Sequence, residues 1–529
     1  MAAGLAGRAP IASKGGMRIE LDRRTVIAGL LSTCAGAAVA DGPARTGRPR
    51  PRPAPERVGA GVQPPPRPAG LGQPPTVEEI VRAARLTGEH AGAAFDVASG
   101  KLIESHNDDV RLPPASVMKA LTAAYALERL GPDHRFETRL LATGPIEGEV
   151  LQGDLVLVGG GDPTLDTRDL DRLAEALAGA GVRRLSGRFL VWEGALPFVR
   201  EVDPSQADHL GYNPSVSGLN LNFNRVHFSW ERTGSAYTVA LDARSGDLKP
   251  AVTTSRMRVE NRSLPVYTYE SGGGRDLWTV ARGALGKGGA RWLPVRNPGA
   301  YAGEVFGTLA RRHGVVLPAG RSVDELPEGE VLAQVRSAPL AEIAEGMLRF
   351  STNITAEVLG LSATLAGGEV PASELTLEAS GAAMADWAET ALGVRGARIV
   401  DHSGLGDGSR LSARDMAAAV LRMARQGPDV VPILKEFAMP DGQGGLTTNG
   451  PIGVSAKTGT LNFVSGLSGV ATSSQGREIA FAVFTADLAK RERGLASGDE
   501  IPSGARPWNA SAKRVQRGLI ERWAALPRR

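Results

Sequence analysis

The segment from 113 to 132 places a serine and a lysine three residues apart, at the start of an apolar run with helical periodicity. Residues i and i+3 of a helix lie on one face, with Cβ atoms about 5–6 Å apart. A serine hydroxyl is a weak nucleophile until a neighbouring base takes its proton, and a lysine is such a base only when burial has lowered its pKa. Ser116 and Lys119 therefore predict a nucleophile and its base. A lone S-x-x-K arises by chance about once in 300 residues, so a capping serine and a solvated lysine remain the alternative.

A second segment of interest is Ser351-Thr352-Asn353, where a helical pattern meets a loop. A second hydroxyl can relay a proton to a leaving group, and an asparagine amide can both donate to and accept from a peptide. Serine and asparagine are also favoured helix N-caps. As a lone tripeptide this segment is a weak indication of chemistry.

The third segment is Lys457-Thr458-Gly459-Thr460, which lies on a predicted strand. A cation there can hold a substrate carboxylate, a threonine can hydrogen-bond to it, and a glycine lets a substrate backbone approach the strand edge. The alternative is a lysine on an exposed edge strand. K-T-G is expected by chance only about once in several thousand residues, so this segment is the most specific of the three.

In chain order the three segments form the pattern S-x-x-K, S-x-N, K-T-G of penicillin-binding proteins and serine β-lactamases. The long separation of Ser116 from Ser351 resembles the D-alanyl-D-alanine carboxypeptidase/endopeptidase family of low-molecular-mass class C penicillin-binding proteins (peptidase family S13). The resemblance covers nearly everything from residue 77 to the C-terminus. It includes the stretches PASVMKALTAAYALERLGPDHRF, LVLVGGGDPTL, YNPSVSGLNLNFN, DHSGLGDGSRLSARD and AKTGTLNFVSGLSG.

The resemblance implies a catalytic role for five residues. Ser116 would attack the carbonyl of the penultimate D-Ala of a peptidoglycan stem peptide, giving an acyl-enzyme that water hydrolyses. Lys119 would be the base for acylation. Ser351 and Lys457 would pass a proton to the departing amine, and Asn353 would orient the substrate.

The resemblance also implies a substrate-binding strand. Lys457 and Thr458 would bind the terminal carboxylate beside Gly459, and the backbone N–H groups of Ser116 and Thr460 would be the oxyanion donors. β-Lactams would acylate Ser116 as strained mimics of the same amide. The expected partners are thus peptidoglycan stem peptides and β-lactams, with no cofactor and no metal.

Three positions depart from the family pattern. In the family, an acidic residue after a strand like GRFLV helps to bind the amino group on the third residue of the stem peptide. Here Trp192 and Glu193 stand near that position, and their spacing from the strand does not fix which of the two occupies it. This departure leaves the preference for the third residue open. His402 stands beside the expected cleft loop where the family usually has glycine, and a structural role is expected for it. Thr352 replaces the commoner aspartate at a variable position.

The elements that must position these residues come from both ends of the chain. A short helix is predicted at 77–86, a hairpin at 91–107, and three apolar strands after 454, followed by an amphipathic helix that covers the sheet. Val515, Leu519, Ile520 and Trp523 lie on the apolar face of that helix.

The sequence therefore predicts an α+β fold. Its main part is a discontinuous penicillin-binding/β-lactamase-like transpeptidase domain, an antiparallel sheet flanked by helices, in 77–144 and 336–529. Short alternating segments in 145–335 predict a β-rich insert of one or two subdomains, with one helical stretch, DLDRLAEALAGAGV.

Composition limits the class of protein. The chain has 529 residues, 42% of them hydrophobic and 22% charged, with a formal net charge of +4. These values are typical of a soluble globular protein with two or three domains. No basic stripe with interleaved aromatics is present, so nucleic-acid binding is not expected.

The first forty residues resemble an export signal. Arg23 and Arg24 precede the apolar run TVIAGLLSTCAGAAVA, which ends in small residues. This predicts a twin-arginine-like signal at 1–40, cleaved after Ala40, with the mature chain in the periplasm or cell envelope and without a membrane span. Translation from Met17 would leave the signal intact. A membrane anchor and lipidation at Cys34, the single cysteine, are the alternatives.

A Pro- and Arg-rich stretch at 41–76 follows and predicts an extended linker. Two other functions remain open beside the peptidase. One is a β-lactamase or esterase on the same scaffold, although no Glu-x-x-x-Asn deacylation pattern is visible. The other is a non-catalytic peptidoglycan-binding protein. The balance of carboxypeptidase and endopeptidase activity is also left open.

Overall fold

The structure is a computed structural model that describes residues 74–427 and 429–527. The predicted export signal (1–40), Cys34 and the predicted linker up to residue 73 lie outside the described residues. Among the helices described, none has both the length and the apolar character needed to cross a bilayer.

The described chain has runs of strands and runs of helices, and most of its strand pairs are antiparallel, which confirms the predicted α+β class. The helices are α1 (Val77–Ala84), α2 (Met118–Leu130), α3 (Thr167–Gly179), α4 (Pro298–Arg312), α5 (Leu340–Phe350), α6 (Asn353–Gly367), α7 (Leu377–Trp387), α8 (Ala413–Arg425), α9 (Leu488–Ala496) and α10 (Ala505–Ala525).

The strands include several of only two residues. They are β1 (Glu89–Asp96), β2 (Leu102–His106), β3 (Arg111–Leu112), β4 (Glu137–Ala142), β5 (Ile146–Glu147), β6 (Val150–Leu151), β7 (Leu155–Gly159), β8 (Arg184–Leu185), β9 (Phe189–Trp192), β10 (Arg225–Thr233), β11 (Ala236–Asp242), β12 (Ser255–Glu260), β13 (Tyr267–Gly272), β14 (Arg275–Ala281), β15 (Gly288–Pro294), β16 (Arg321–Val323), β17 (Glu330–Arg336), β18 (Leu411–Ser412), β19 (Met439–Pro440), β20 (Leu446–Thr447), β21 (Gly453–Leu461), β22 (Val464–Thr472) and β23 (Glu478–Ala486).

One antiparallel sheet joins the two ends of the described chain. Its strand order is β2-β1-β23-β22-β21, so the N-terminal hairpin pairs directly with the C-terminal strands. In the β1–β23 pair, Glu89 is opposite Ala486 and Asp96 is opposite Ile479. The hairpin predicted at 91–107 and the three strands predicted after 454 are therefore confirmed, and so is their union in one sheet.

Both faces of this main sheet are buried. Successive strand residues point to opposite sides, so alternate residues of one strand belong to different core clusters. Phe481 and Val483 face a cluster with α10, whereas Ala482 and Phe484 face a cluster with α2 and α8. The apolar face predicted for the last helix is confirmed: its four predicted residues are all buried, and the helix packs on β22 and β23.

The middle of the chain forms further sheets with a separate core. The largest has the order β16-β9-β7-β4-β17, and two three-stranded sheets have the orders β11-β10-β15 and β12-β14-β13. The predicted helix becomes α3, which packs against α4. The core of this region includes Phe189, Trp278 and Phe306.

The predicted domain boundaries remain a prediction. β4 lies before residue 145 but pairs with β7 and with β17. The largest sheet of the middle region thus begins inside the segment 77–144 that the sequence assigned to the discontinuous domain.

Candidate active site

Ser116 lies on a tight turn just before α2. Pro113 and Pro114 precede it, Ala115 has a φ of 47°, and 115–117 form a single 3-10 turn that continues into the α-helix. The continuous helix expected here is therefore a 3-10 turn followed by an α-helix. This geometry still brings Lys119 beside Ser116, with Nζ donating to Oγ at 2.9 Å.

Lys119 is fully buried, with 0% of its surface exposed. Besides Ser116, its Nζ donates to Asn353 Oδ1 at 2.7 Å and to the carbonyl oxygen of Ser403 at 2.8 Å. Burial lowers the pKa of Lys119 to about 7, although the negative charges of Glu357 and Asp401 oppose that change. A neutral amine keeps two protons for Asn353 and Ser403 and leaves its lone pair for the hydroxyl of Ser116.

Ser351 and Lys457 form a second hydrogen-bonded pair. Ser351 is the residue that follows α5 and has a left-handed φ of 59°, and α6 begins two residues later at Asn353. Lys457, buried on β21, donates from Nζ to Ser351 Oγ at 3.0 Å and to the carbonyl of Thr458 at 2.7 Å. Burial lowers the pKa of Lys457 well below its usual value, and the charges of Lys119 and Lys435 add to the effect.

Asn353 is the first residue of α6 and uses both ends of its amide. Its Oδ1 accepts from Lys119, and its Nδ2 donates to the backbone carbonyl of Tyr212 at 2.8 Å. Tyr212 belongs to the middle region of the chain, so that region contributes an atom to the site. The sequence included Tyr212 in the stretch YNPSVSGLNLNFN but predicted no role for it.

Gly459 explains how β21 comes so close to Ser116. A Cβ at this position would lie 2.7 Å from the carbonyl oxygen of Pro114 and 2.9 Å from the backbone nitrogen of Ser116. The strand edge and the serine turn are thus in direct contact, which only glycine allows. Thr458 is exposed, and Thr460 pairs with Ser465 on β22.

A layer of buried carboxylates lies behind Lys119. Glu357 on α6 is fully buried, and Asp401, in the loop between α7 and β18, is almost fully buried. Burial and the charge of Glu357 raise the pKa of Asp401 to about 6. Burial also acts to raise the pKa of Glu357, but hydrogen bonds from His402 and Ser403 outweigh it, and the net shift is downward.

The sequence did not predict a role for Glu357 or for the carbonyl of Ser403. The signal for Glu357 was a single acidic residue in the otherwise apolar stretch ITAEVLGL. For Ser403 no signal existed, because any residue type supplies a backbone carbonyl.

Trp192 and Glu193, considered for substrate binding, have their partners within the middle region. Trp192 Nε1 donates to the carbonyl of Asp324 at 3.2 Å. Burial raises the pKa of Glu193, while hydrogen bonds from Ser217 and the backbone of Gly299, near the start of α4, act against it.

The arrangement suits acyl transfer through a serine ester. It joins a hydroxyl to a buried amine with a pKa near neutrality. A second hydroxyl–amine pair links the end of α5 to strand β21. Within residues 74–427 and 429–527, no three His, Cys, Asp or Glu side chains are grouped so as to hold a metal ion.

Comparison with known proteins agrees with this chemistry. The family model described as D-Ala-D-Ala carboxypeptidase 3 (S13) matches residues 74–501. The chain belongs to the S13 family. As a member it is a peptidase, and the resemblance drawn from its motifs is confirmed.

Two curated relatives and one solved structure illustrate the similarity. The chain is 31% identical over 442 residues to a D-alanyl-D-alanine carboxypeptidase of Actinomadura sp. (strain R39), covering 77% of this chain and 79% of the relative. It is 29% identical over 420 residues to a carboxypeptidase of Mycobacterium tuberculosis, covering 77% and 78%. The crystal structure of penicillin binding protein 4 from Haemophilus influenzae superposes with a TM-score of 0.66 at 19% identity, covering 84% of this chain and 99% of that one. At that identity the likeness shows the fold alone.

Proposed function

We propose that this S13 peptidase is an exported serine-type D-Ala-D-Ala carboxypeptidase, with or without DD-endopeptidase activity, that works through an acyl-enzyme on Ser116. The observation that carries the proposal is the 2.9 Å contact between Ser116 Oγ and the amine of the fully buried Lys119. A lysine whose pKa is about 7 is partly neutral at physiological pH, and a neutral amine can take the hydroxyl proton.

Acylation begins when Ser116 Oγ attacks the carbonyl carbon of the penultimate D-Ala and its proton passes to Lys119 Nζ. The developing oxyanion is held by the backbone N–H groups of Ser116 and Thr460, an interaction worth about 3 kcal/mol of barrier. The contact of Gly459 with the serine turn supports this assignment, because it brings the strand edge beside the nucleophile.

Collapse of the tetrahedral intermediate breaks the amide bond and requires a proton on the leaving nitrogen. Ser351 is suited to give it, since its hydroxyl is hydrogen-bonded to Lys457 Nζ at 3.0 Å, which can restore the proton. The leaving amine is free D-Ala in the carboxypeptidase reaction and the amino group of a neighbouring stem peptide in the endopeptidase reaction. Water then hydrolyses the ester and frees Ser116.

The terminal carboxylate of the substrate binds at Lys457 and Thr458. In the free protein, burial lowers the pKa of Lys457. A carboxylate entering the site favours the charged amine and so raises the pKa of Lys457 again. Asn353, fixed by Lys119 and the Tyr212 carbonyl, orients the peptide.

Peptidoglycan stem peptides are the proposed substrate and β-lactams the proposed covalent inhibitors. A second crystal structure of the Haemophilus influenzae protein, a complex with a novel β-lactam, superposes on the chain with a TM-score of 0.64. Export through the predicted signal agrees with an extracytoplasmic substrate of this kind.

The proposed activity is tested by incubating the mature protein with purified muropeptides. We expect release of free D-Ala, loss of cross-links, or both, and no product from the Ser116→Ala variant. Rapid hydrolysis of penicillin without release of D-Ala would favour the β-lactamase alternative. Binding of peptidoglycan without acylation or product would favour the non-catalytic one.

A further inference from the structure

Glu357 lies one helical turn after Asn353 on α6, and its carboxylate is completely buried. Oε2 accepts from the backbone N–H of His402 at 2.9 Å and from the ring Nδ1 of His402 at 3.0 Å. Oε1 accepts from the backbone N–H of Ser403 at 2.9 Å. Two consecutive amides of the 401–404 loop therefore point at one carboxylate.

The opposite side of the same loop faces α2. The carbonyl of His402 accepts from Thr122 Oγ1 at 2.6 Å, and the carbonyl of Ser403 accepts from Lys119 Nζ at 2.8 Å. The loop is thus a rigid spacer, with its N–H groups on Glu357 and its carbonyls on the helix that carries the predicted base.

The His402 ring closes the other end of this layer. Its Nε2 is 3.0 Å from Ser380 Oγ, which lies 2.6 Å from Thr364 Oγ1. A Cβ on Gly360 would lie 2.0 Å from the ring, so the glycine of α6 makes room for it. His402 is therefore held in place and cannot swing away from Glu357.

We propose that Glu357 is a positioning residue for Lys119: it fixes the 401–404 loop that accepts from Lys119, and its charge sets the pH range in which Lys119 accepts the Ser116 proton. This inference rests on the proposed acylation role of Lys119. It assigns the buried Glu357–His402 pair a function beyond filling the core.

The charged and titratable groups around Lys119 decide the sign of the effect. Glu357 and Asp401 act to raise the pKa of Lys119, and burial acts to lower it. Lys457 is the neighbouring amine on β21, and His402 is the ring that hydrogen-bonds to Glu357. Loss of the Glu357 charge lowers the pKa of Lys119 further, because less negative charge then favours its protonated form.

The test is the pH dependence of acylation by a fluorescent penicillin. The acid limb is the part of the pH profile in which the second-order acylation rate falls as the pH is lowered. In Glu357→Gln we expect the midpoint of this acid limb to shift to a pH about 1 unit lower. Asp401 ionises more readily in this variant, which offsets part of the change. Glu357→Asp keeps the charge and shortens the side chain, so the rate should fall while the limb stays near its wild-type position.

Glu128→Gln is the matched control. Glu128 lies on α2 and accepts from Trp387 Nε1 at 2.9 Å, so the same change is made on the helix of Lys119 without touching the 401–404 loop. Its acid limb should not move. If Glu357→Gln does not fold, His402→Ala serves instead: without the ring hydrogen bond the pKa of Glu357 rises, and the limb should move in the same direction by less.

Two failures are distinguishable. A wild-type chain that penicillin does not acylate would overturn the proposed function and this inference with it. Normal wild-type acylation, with a slower Glu357→Gln whose acid limb is unmoved, would leave the proposed function intact and overturn this inference alone.

Discussion

Asn353 donates a hydrogen bond from Nδ2 to the backbone carbonyl of Tyr212 at 2.8 Å, while its Oδ1 accepts from Lys119. The amide therefore links α6, which begins at Asn353, to the middle region of the chain. Because an asparagine can donate and accept at once, it suits a position between an amine and a carbonyl.

Asn353→Asp should change both links. A carboxylate cannot donate to the Tyr212 carbonyl, and its charge beside Lys119 favours the protonated amine. We expect the acid limb of acylation to move up by about 1 pH unit or more, and the free energy of unfolding to fall by about 1–3 kcal/mol. Rates of penicillin acylation across pH and denaturant unfolding measure the two effects.

Asn509→Asp is the control for that variant. Asn509 Nδ2 on α10 donates to the carbonyl of Leu461 at 3.1 Å, so an equivalent donor is lost away from Lys119. Its stability should fall without any movement of the limb. An acid limb that stays in place in Asn353→Asp would contradict the role given to the Asn353–Lys119 contact.

The wild-type acylation rate should itself depend on pH through Lys119. The reactive form is the neutral amine, and its pKa is about 7. As the pH falls below that value, the neutral fraction and hence the rate should decrease about tenfold per pH unit. Stopped-flow labelling with penicillin gives this profile, and a rate that stays constant from about pH 7 down to about pH 5 would rule out Lys119 as the base.

Gly459→Ala should disable the site without unfolding the sheet. The new methyl group would lie 2.7 Å from the Pro114 carbonyl and 2.9 Å from the Ser116 nitrogen, so the strand edge must move away from the serine. A misplacement of about 1 Å costs about 100-fold in rate, so we expect a loss of that order in the acylation rate. Gly453→Ala, at the start of the same strand with nothing within 4 Å of the added Cβ, should acylate normally.

Much of the fold and the site could be predicted because their signals are local. The hairpin and the apolar face of α10 follow from residue periods of two and about 3.6. Each of the three motifs is recognised from the residue types at three or four consecutive positions. The contact of Ser116 with Lys119 could be predicted because the two residues are only three positions apart in a helical segment.

The remaining parts depend on distant partners. The approach of Tyr212 to Asn353 and the hydrogen bonds of Glu357 to the 401–404 loop join segments far apart in sequence. No local pattern determines which backbone carbonyl an amide will meet.

Removal of Phe481 should test the main sheet separately from the site. Phe481 is fully buried in the cluster that also contains Trp523 of α10, and the two ring centroids lie 6.2 Å apart. Phe481→Ala should lower the free energy of unfolding by about 3–5 kcal/mol. Leu446→Ala, at a side chain that is 54% exposed, should change it by less than about 0.5 kcal/mol. Equal losses in the two variants would contradict the packing described.

The central claim, that Lys119 activates Ser116 as a nucleophile, is tested most directly by following penicillin adduct formation through peptide mass spectrometry, which gives both its position and its rate. We predict one adduct, on the peptide that carries Ser116, and none in Ser116→Ala. In Lys119→Met the adduct should form at least about 100-fold more slowly. An adduct on another residue, or an undiminished rate in Lys119→Met, would contradict the account.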